Sequence, residues 1–246
     1  MKEDFRPISH KYSEGFMGKI MFFFRMLFDF QLLTIYLDLK KQLPFFKGEV
    51  LDVGCGESPY KFLLSENQIK YTGIDTIDSN KFDYNNFAII HFNGKIIPFG
   101  DNKFDCVLCT EVLEHVFNYQ QLLDEIFRVM KQGSIGVFTI PWSARYHYIP
   151  DDYFRYTPSS IKSMFSACKN VKITPRGTDL TSIIAKIVVL FFRNLYPSER
   201  WRFVFSPLLI ILSPLILITI IVGHISVFFN FGSDSDPLGY TILIEK

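Results

Sequence analysis

The stretch Glu49-Val50-Leu51-Asp52-Val53-Gly54-Cys55-Gly56-Glu57-Ser58-Pro59 constrains this chain more than any other. Val50, Leu51 and Val53 make a short apolar run of the kind buried on both faces of a parallel sheet. Gly54 and Gly56 then allow a sharp turn and let a ligand come close to the backbone N–H groups. Ser58 as N-cap and Pro59 as first helical residue predict a helix over 59–66 whose partially positive end faces the turn. Such an end suits a carboxylate or a phosphate. A dinucleotide fingerprint would carry a third glycine where this chain has Pro59, and Asp52 would repel a pyrophosphate. A ligand bearing an amine or a sulfonium tolerates that carboxylate better.

A second strand over 69–74 leads to Asp75 and Thr76, which puts a carboxylate at the carboxyl edge of the neighbouring strand, within reach of ribose hydroxyls. Further on comes Ile96-Ile97-Pro98-Phe99-Gly100-Asp101-Asn102-Lys103-Phe104-Asp105-Cys106-Val107-Leu108-Cys109-Thr110-Glu111-Val112-Leu113-Glu114-His115-Val116. Here 104–109 reads as a strand beside the first, with Thr110 and Glu111 at its carboxyl end. Together these stretches resemble the class I S-adenosylmethionine-dependent methyltransferases. Residues 50–58 look like their first motif and 71–75 like their second, while 96–116 resembles the segment that marks the small-molecule type 11 group.

That resemblance implies an α/β, Rossmann-like sheet of seven strands in the order 3-2-1-4-5-7-6, with the last strand antiparallel. It also implies S-adenosyl-L-methionine as cofactor, held by Asp52, Gly54, Cys55, Gly56, Asp75, Thr76, Asn93, Gly94, Thr110 and Glu111. Asn93 stands where the group usually has an aspartate for the adenine amine, and its amide oxygen can accept the same hydrogen bond. Strands are expected near 49–53, 69–74, 88–92, 104–109, 134–140, 170–175 and 238–245. Helices are expected over 59–66, 119–131 and 158–167, with a loop or single turn over 78–87.

The 246 residues suffice for one sizeable core with an elaboration. A net charge of +1 and the lack of any Lys/Arg block argue against nucleic-acid partners. Cys106 and Cys109 form a CxxC, but residues three apart on a strand point to opposite faces. They are expected to be small core residues, and no metal site is expected. The first residues lack the plan of a secretory signal, so the site is expected to stay inside the cell.

After the fifth strand, residues 141–158 are too long and too aromatic for a mere connection, and loops on this edge of such a sheet bind substrates. His147 is the first candidate for a general base, with Asp152 as its orienter or as a ligand for sugar hydroxyls; His115 is the second. Tyr146, Tyr153 and Tyr156 are candidates to stack on sugar faces, to line a lipid-side groove or to close over the cofactor, and Arg155 to grip a phosphate. The wording of this loop, with His147, Pro150, Asp152, Tyr153, Arg155 and Tyr156, is similar to methyltransferases associated with bacterial surface-polysaccharide biosynthesis.

The remaining sequence is unusually apolar, with 27 Phe concentrated towards the two ends. Residues 1–47 read as an N-terminal arm of amphipathic helices, 48–177 as the core, 178–232 as a hydrophobic helical insert and 233–246 as the last strand. Within the insert, 203–230 contains no charged residue and would measure about 42 Å as one helix. If the last strand pairs with the sixth, both flanks of the insert lie on one side of a bilayer, and one crossing is excluded. That leaves an in-plane or re-entrant anchor, with Pro207 and Pro214 breaking the helix and Arg193, Arg200, Trp201 and Arg202 as interfacial anchors, or else a soluble subdomain.

The leading expectation is methyl transfer to oxygen of a saccharide or lipid-linked glycan at the inner face of the cell membrane. A small quinone-like or lipid acceptor, and a non-catalytic membrane-associated protein that binds the cofactor, are the alternatives. A nicotinamide-dependent oxidoreductase is disfavoured by Asp52, Pro59 and the antiparallel last strand.

Overall fold

Strands β1 (Gly48–Val53), β2 (Ile69–Thr76), β3 (Ile90–Phe92), β4 (Phe104–Thr110), β5 (Met130–Pro141), β6 (Asn170–Arg176) and β7 (Gly239–Glu245) form one sheet. A computed structural model describes residues 15–76, 89–195, 197 and 200–246. The strand order is β3-β2-β1-β4-β5-β7-β6, as the sequence predicted. β7 runs antiparallel to both of its neighbours, and the other pairings are parallel. The carboxyl ends of β1, β2 and β4 therefore share one edge with the loop that follows β5. Strand spacing from sequence was close, except that β5 begins earlier and β3 is shorter than expected. The loop expected over 78–87 lies outside the described residues.

One face of the sheet carries α3 (Tyr119–Val129) and α4 (Pro158–Met164). Leu122, Leu123, Ile126 and Val129 recur at helical spacing and are buried against Val107, Cys109, Phe138 and Ile140. Thr157 caps α4 by accepting the Ser160 N–H at 3.2 Å, and Pro158 takes the first turn.

The other face carries α1 (Phe16–Arg25), α2 (Phe30–Gln42), α5 (Asp179–Leu195) and α6 (Ser206–Phe229). Asp29 caps α2 through the Leu32 N–H, and α1 turns away from α2 by 111°. Leu32, Leu39 and Leu43 of the arm pack with Val50, Cys106, Leu108 and Val137 of the sheet. Cys106 and Cys109 thus belong to opposite faces, as strand geometry requires.

The helix expected over 59–66 does not form. Ser58 sits in the left-handed region at φ 51°, so it cannot serve as an N-cap, and only single 3-10 turns occur at Lys61–Leu63 and Glu66–Gln68. Tyr60, Phe62 and Leu64 instead pack against α1 and α2, with the Phe22 and Phe62 rings edge to face at 5.6 Å. The N-terminal arm occupies the space a crossover helix would fill. With no helix there, the expected anion site at its N-terminus is withdrawn.

α5 and α6 form an antiparallel hairpin between β6 and β7. Gly223 of α6 lets its backbone close on Phe30 and Ile184, and Ser226 is buried against Thr178 and Thr181 at 2.8 and 2.7 Å. α6 is one continuous helix, not the broken one expected. Pro207 falls in its first turn, where no intrahelical N–H is lost, and Ser213 donates to the Ile210 carbonyl that Pro214 leaves unbonded, at 2.7 Å. The side chains of Arg200, Trp201 and Arg202 lie outside what the structure describes.

Candidate functional site

The site is built at the carboxyl edge of β1, β2 and β4, which parallel pairing brings side by side. Gly54 and Gly56 both take positive φ, 67° and 48°. A side chain on Gly54 would collide with Val112, which roofs the turn from the segment after β4. The glycine turn is held from below by a hydroxyl bridge that the sequence did not reveal. Tyr71 donates to Asp52 Oδ2 at 2.7 Å, and its oxygen lies 2.9 Å from Ser58 Oγ. This fixes Ser58 at the position where its backbone has turned left-handed.

Asp52 and Asp75 lie on adjacent strands at this edge. Asp75 accepts the Gly56 N–H at 2.9 Å and its own neighbour Thr76 N–H at 2.7 Å. Burial pushes its carboxyl up from the ordinary range, against those two hydrogen bonds. Asp52 is pushed up to about 7, chiefly by burial, with the nearby Asp75 charge adding and the Tyr71 hydrogen bond opposing. Its second oxygen, Oδ1, is buried with no partner among the described residues. A buried carboxylate oxygen without a donor, beside a glycine turn, is what an ammonium or sulfonium ligand would complete. On that observation the residues present at this edge fit S-adenosylmethionine.

Cys55 is buried in the turn, and burial together with Asp52 and Asp75 drives its thiol far above the ordinary range, so it stays a neutral packing group. Gly94 turns at φ 73° and Thr110 closes β4. Asn93 departs from expectation. Its Oδ1 already accepts the Lys95 and Ile96 N–H groups at 2.9 and 3.0 Å, so the oxygen expected to meet an adenine amine is committed to its own turn.

Glu111 takes the left-handed conformation, φ 52°, and its Oε1 accepts from Arg176 at 2.7 Å. The Arg176 side chain, at the end of β6, is wholly buried and also donates to the Ile140 carbonyl and to Gln31 of α2. Gly239 of β7 has no side chain, which leaves space for the guanidinium. Nothing in the sequence marked Arg176 or Gln31, because the ends of strands far apart in the chain bring them together.

The loop after β5 folds down on the turn Leu113–His115. Tyr153 N–H donates to the Glu114 carbonyl at 2.8 Å, and Tyr156 donates its hydroxyl to the Leu113 carbonyl at 3.0 Å. Tyr156 is therefore buried structure and not a substrate contact, whereas Tyr146 and Tyr153 are exposed, the latter with its hydroxyl on Asp151. Arg155 is also reassigned. Its guanidinium grips Asp152 with two bonds, 2.6 and 2.8 Å, and donates to the Arg145 and Phe154 carbonyls, which leaves no fork for a phosphate.

Asp152 in turn lies 3.0 Å from His147 Nδ1 and accepts the His147 N–H, which is the orienting geometry expected of it. Burial works against its charge, but Arg155 and His147 hold its carboxyl below the ordinary range. His115 Nδ1 sits 2.6 Å from the Asp151 carbonyl, and burial pushes its imidazole down from the ordinary value. The His115 and His147 rings meet edge to face at 4.9 Å. Glu114 is fully buried, with Oε1 3.6 Å from His115 Nε2, and burial first, then Glu111, drive its carboxyl well above the ordinary range.

Residues 51–138 match a family described as a methyltransferase domain. A 96-residue stretch is 33% identical to the demethylmenaquinone methyltransferase of Listeria welshimeri, covering 34% of this chain and 41% of the relative. The chain thus spans well under half the length of that curated relative. A S-adenosylmethionine-dependent methyltransferase from Archaeoglobus fulgidus superposes with a TM-score of 0.55 over 92% of this chain and 99% of its own, at 21% identity. The cyclase SpnF superposes equally broadly, TM-score 0.53 over 98% and 88%, at 15% identity. The fold is that of the S-adenosylmethionine-dependent methyltransferases.

Proposed function

We propose that the protein transfers a methyl group from S-adenosylmethionine to an acceptor presented at a membrane surface. The observation that carries the first half is the unpartnered, buried Asp52 oxygen beside the Gly54–Gly56 turn, with Asp75 on the next strand. The donor supplies an electrophilic methyl on a sulfonium. The protein's part is to align acceptor and donor in line and to exclude water. Glu111 and Thr110 border the reacting end, Val112 roofs the turn, and the exposed Tyr146 and Tyr153 line the mouth through which an acceptor enters. A hydroxyl acceptor must also lose its proton, and His147, oriented by Asp152, and His115 are the groups at that mouth able to assist.

The second half rests on α6. Leu208, Ile211, Leu215, Ile218, Ile221 and Ile225 are exposed on a helix about 36 Å long whose sequence is apolar all round. Phe16, Met17, Met21 and Phe24 of α1 are exposed as well. An apolar surface of this extent is rare on a protein bathed only in water. Because β6 and β7 pair over their whole length and α5 lies on the sheet, α6 is read as lying in the plane of the bilayer and not crossing it. The enzyme then works at the cytoplasmic face of the cell membrane.

A lipid-linked saccharide is the acceptor class this arrangement favours on sequence grounds. The similarity to a demethylmenaquinone methyltransferase favours a quinone-like lipid as the second reading. One experiment separates them. Membranes are incubated with the protein and methyl-labelled donor, and label is sought in organic-extractable glycolipid and in the quinone fraction. Calorimetry with S-adenosylhomocysteine accompanies it, and absence of donor binding would end both readings.

A further inference from the structure

We infer that Glu114, His115 and His147 form a divalent-cation site at the mouth of the donor crevice. The ligand atoms of these three residues lie within 4.8 Å of one another. Each histidine has its Nδ1 committed: His115 to the Asp151 carbonyl at 2.6 Å, His147 to the Arg145 carbonyl at 2.9 Å and Asp152 at 3.0 Å. An Nδ1–H donated to a carbonyl or carboxylate leaves Nε2 as a lone pair aimed elsewhere, which is the usual outer arrangement of metal-binding histidines. His115 Nε2 points at Glu114 Oε1, 3.6 Å away.

Glu114 is the second, independent observation. Its side chain has no exposure, and neither carboxylate oxygen has a hydrogen-bond partner among the described residues. Buried carboxyls of folded proteins are almost always satisfied, and a carboxylate with two unbonded oxygens, one of them 3.6 Å from an imidazole nitrogen, calls for a cation. The neighbouring charges leave the place open to one. Asp152 is matched by Arg155 and Glu111 by Arg176, so Glu114 is the unmatched acid.

Two imidazoles and one carboxylate suit a first-row divalent ion such as Mn2+ or Zn2+, and three protein ligands leave positions for an acceptor hydroxyl. The frame is rigid, since the loop is stapled to the turn by Tyr153 N–H and the Tyr156 hydroxyl. Resting on the methyl-transfer reading, the site would favour an acceptor with a hydroxyl, or two adjacent ones, whose proton is released to solvent on binding the cation. The oxygen lone pair then forms the C–O bond, while the C–S bond breaks with its electrons left on sulfur. The histidines would act as ligands and not as free bases, in place of the sequence expectation of no metal.

The test uses the full chain, stripped with chelator and titrated with Mn2+, followed by the loss of the free-ion paramagnetic resonance signal, with Zn2+ as competitor. One ion per chain is expected. His115→Ala and His147→Ala should each weaken binding at least tenfold, and Asp152→Asn, which orients His147 and also pairs with Arg155, by about 10- to 100-fold. Glu114→Gln keeps the shape and serves as the variant least able to unfold the turn; circular dichroism checks each protein. No saturable binding of either ion, or binding unchanged in Glu114→Gln and both histidine variants, overturns the site. S-adenosylhomocysteine binding is measured on the same samples. Its loss throughout, with Mn2+ still bound at these residues, would strike the methyl-transfer reading and leave the cation site standing.

Discussion

The two faces of the sheet are finished in opposite ways. On one, α3 buries Leu122, Leu123, Ile126 and Val129 and turns Gln120, Gln121 and Asp124 to water. On the other, α2 and α5 make an ordinary inner layer, yet the outer helix α6 buries only Ile220, Gly223 and Ser226 and exposes isoleucines, leucines and phenylalanines along its length. The first face closes a core, whereas the second repeats the chemistry of a core where there is nothing further to pack against. The difference teaches that α6 joins the core through one narrow stripe, Ile220, Gly223 and Ser226, and leaves the rest of its apolar surface outside it.

The comparison breaks most visibly if that surface is made polar. Ile211, Leu215 and Ile218 share one exposed stripe, and each loses about 1.5–3 kcal/mol of apolar transfer when replaced by lysine. The triple substitution should weaken partitioning onto uncharged phosphatidylcholine vesicles by more than a thousandfold in flotation assays, with the melting temperature nearly unchanged. A wild-type protein that fails to float, or a triple variant that floats as well, removes the lipid face. Equivalent lysines at Gln120, Gln121 and Asp124 should leave flotation untouched.

Arg176 is where the two halves meet, tying α2 through Gln31 to Glu111 just past the carboxyl end of β4. Arg176→Met leaves Glu111 without its partner, and because Glu111 is partly exposed the loss should fall at the lower end for broken buried pairs, about 3 kcal/mol. Denaturant melts of Arg176→Met, Glu111→Gln and the double variant would measure it. Additive losses would mean that the pair is incidental.

Asp75 tests the donor side alone. Removing a charged acceptor of ribose hydroxyls costs about 1.5–3 kcal/mol, so Asp75→Ala should weaken S-adenosylhomocysteine roughly 10- to 100-fold by calorimetry. The same change should not alter flotation. If donor affinity survives, the crevice is wrongly placed.

How much of this the sequence disclosed follows the same division. The strands beside the glycine turn were legible because apolar runs, glycines and strand-end aspartates are local signals, and the sheet order followed from the family resemblance those signals carry. The segment 59–66 misled because Ser58 and Pro59 have a helix-starting look, and only the packed arm, distant in sequence, excludes the helix. Arg155 was misread for a related reason. An arginine near aromatic residues suggests an anion, but its partner Asp152 is three residues away and the bidentate pair depends on how the loop folds. Arg176 and the unpartnered oxygens of Glu114 gave no sequence signal, since burial is a property of the assembled edge. The apolar character of α6 was evident from composition, but its continuity past Pro214 required seeing Ser213 take up the Ile210 carbonyl.

The finest distinction between the polar edge and the apolar face is pH. Asp52, pushed by burial from near 4 to about 7, holds a proton in the folded protein that the unfolded chain has released. Its contribution to stability is therefore fully present below pH 4 and is lost as pH rises towards and through 7. A positively charged donor reverses this preference, since it favours the ionised carboxylate. Binding near pH 6 should then expel a proton, and affinity should rise by up to about tenfold per pH unit before levelling above 7. Titrations at pH 6 in two buffers of different ionisation enthalpy would register the proton as a difference in apparent binding heat. Asp52→Asn should abolish both that difference and the slope while leaving flotation alone. Equal heats in the two buffers for the unsubstituted protein would mean that the Asp52 oxygen does not face the positive end of the donor.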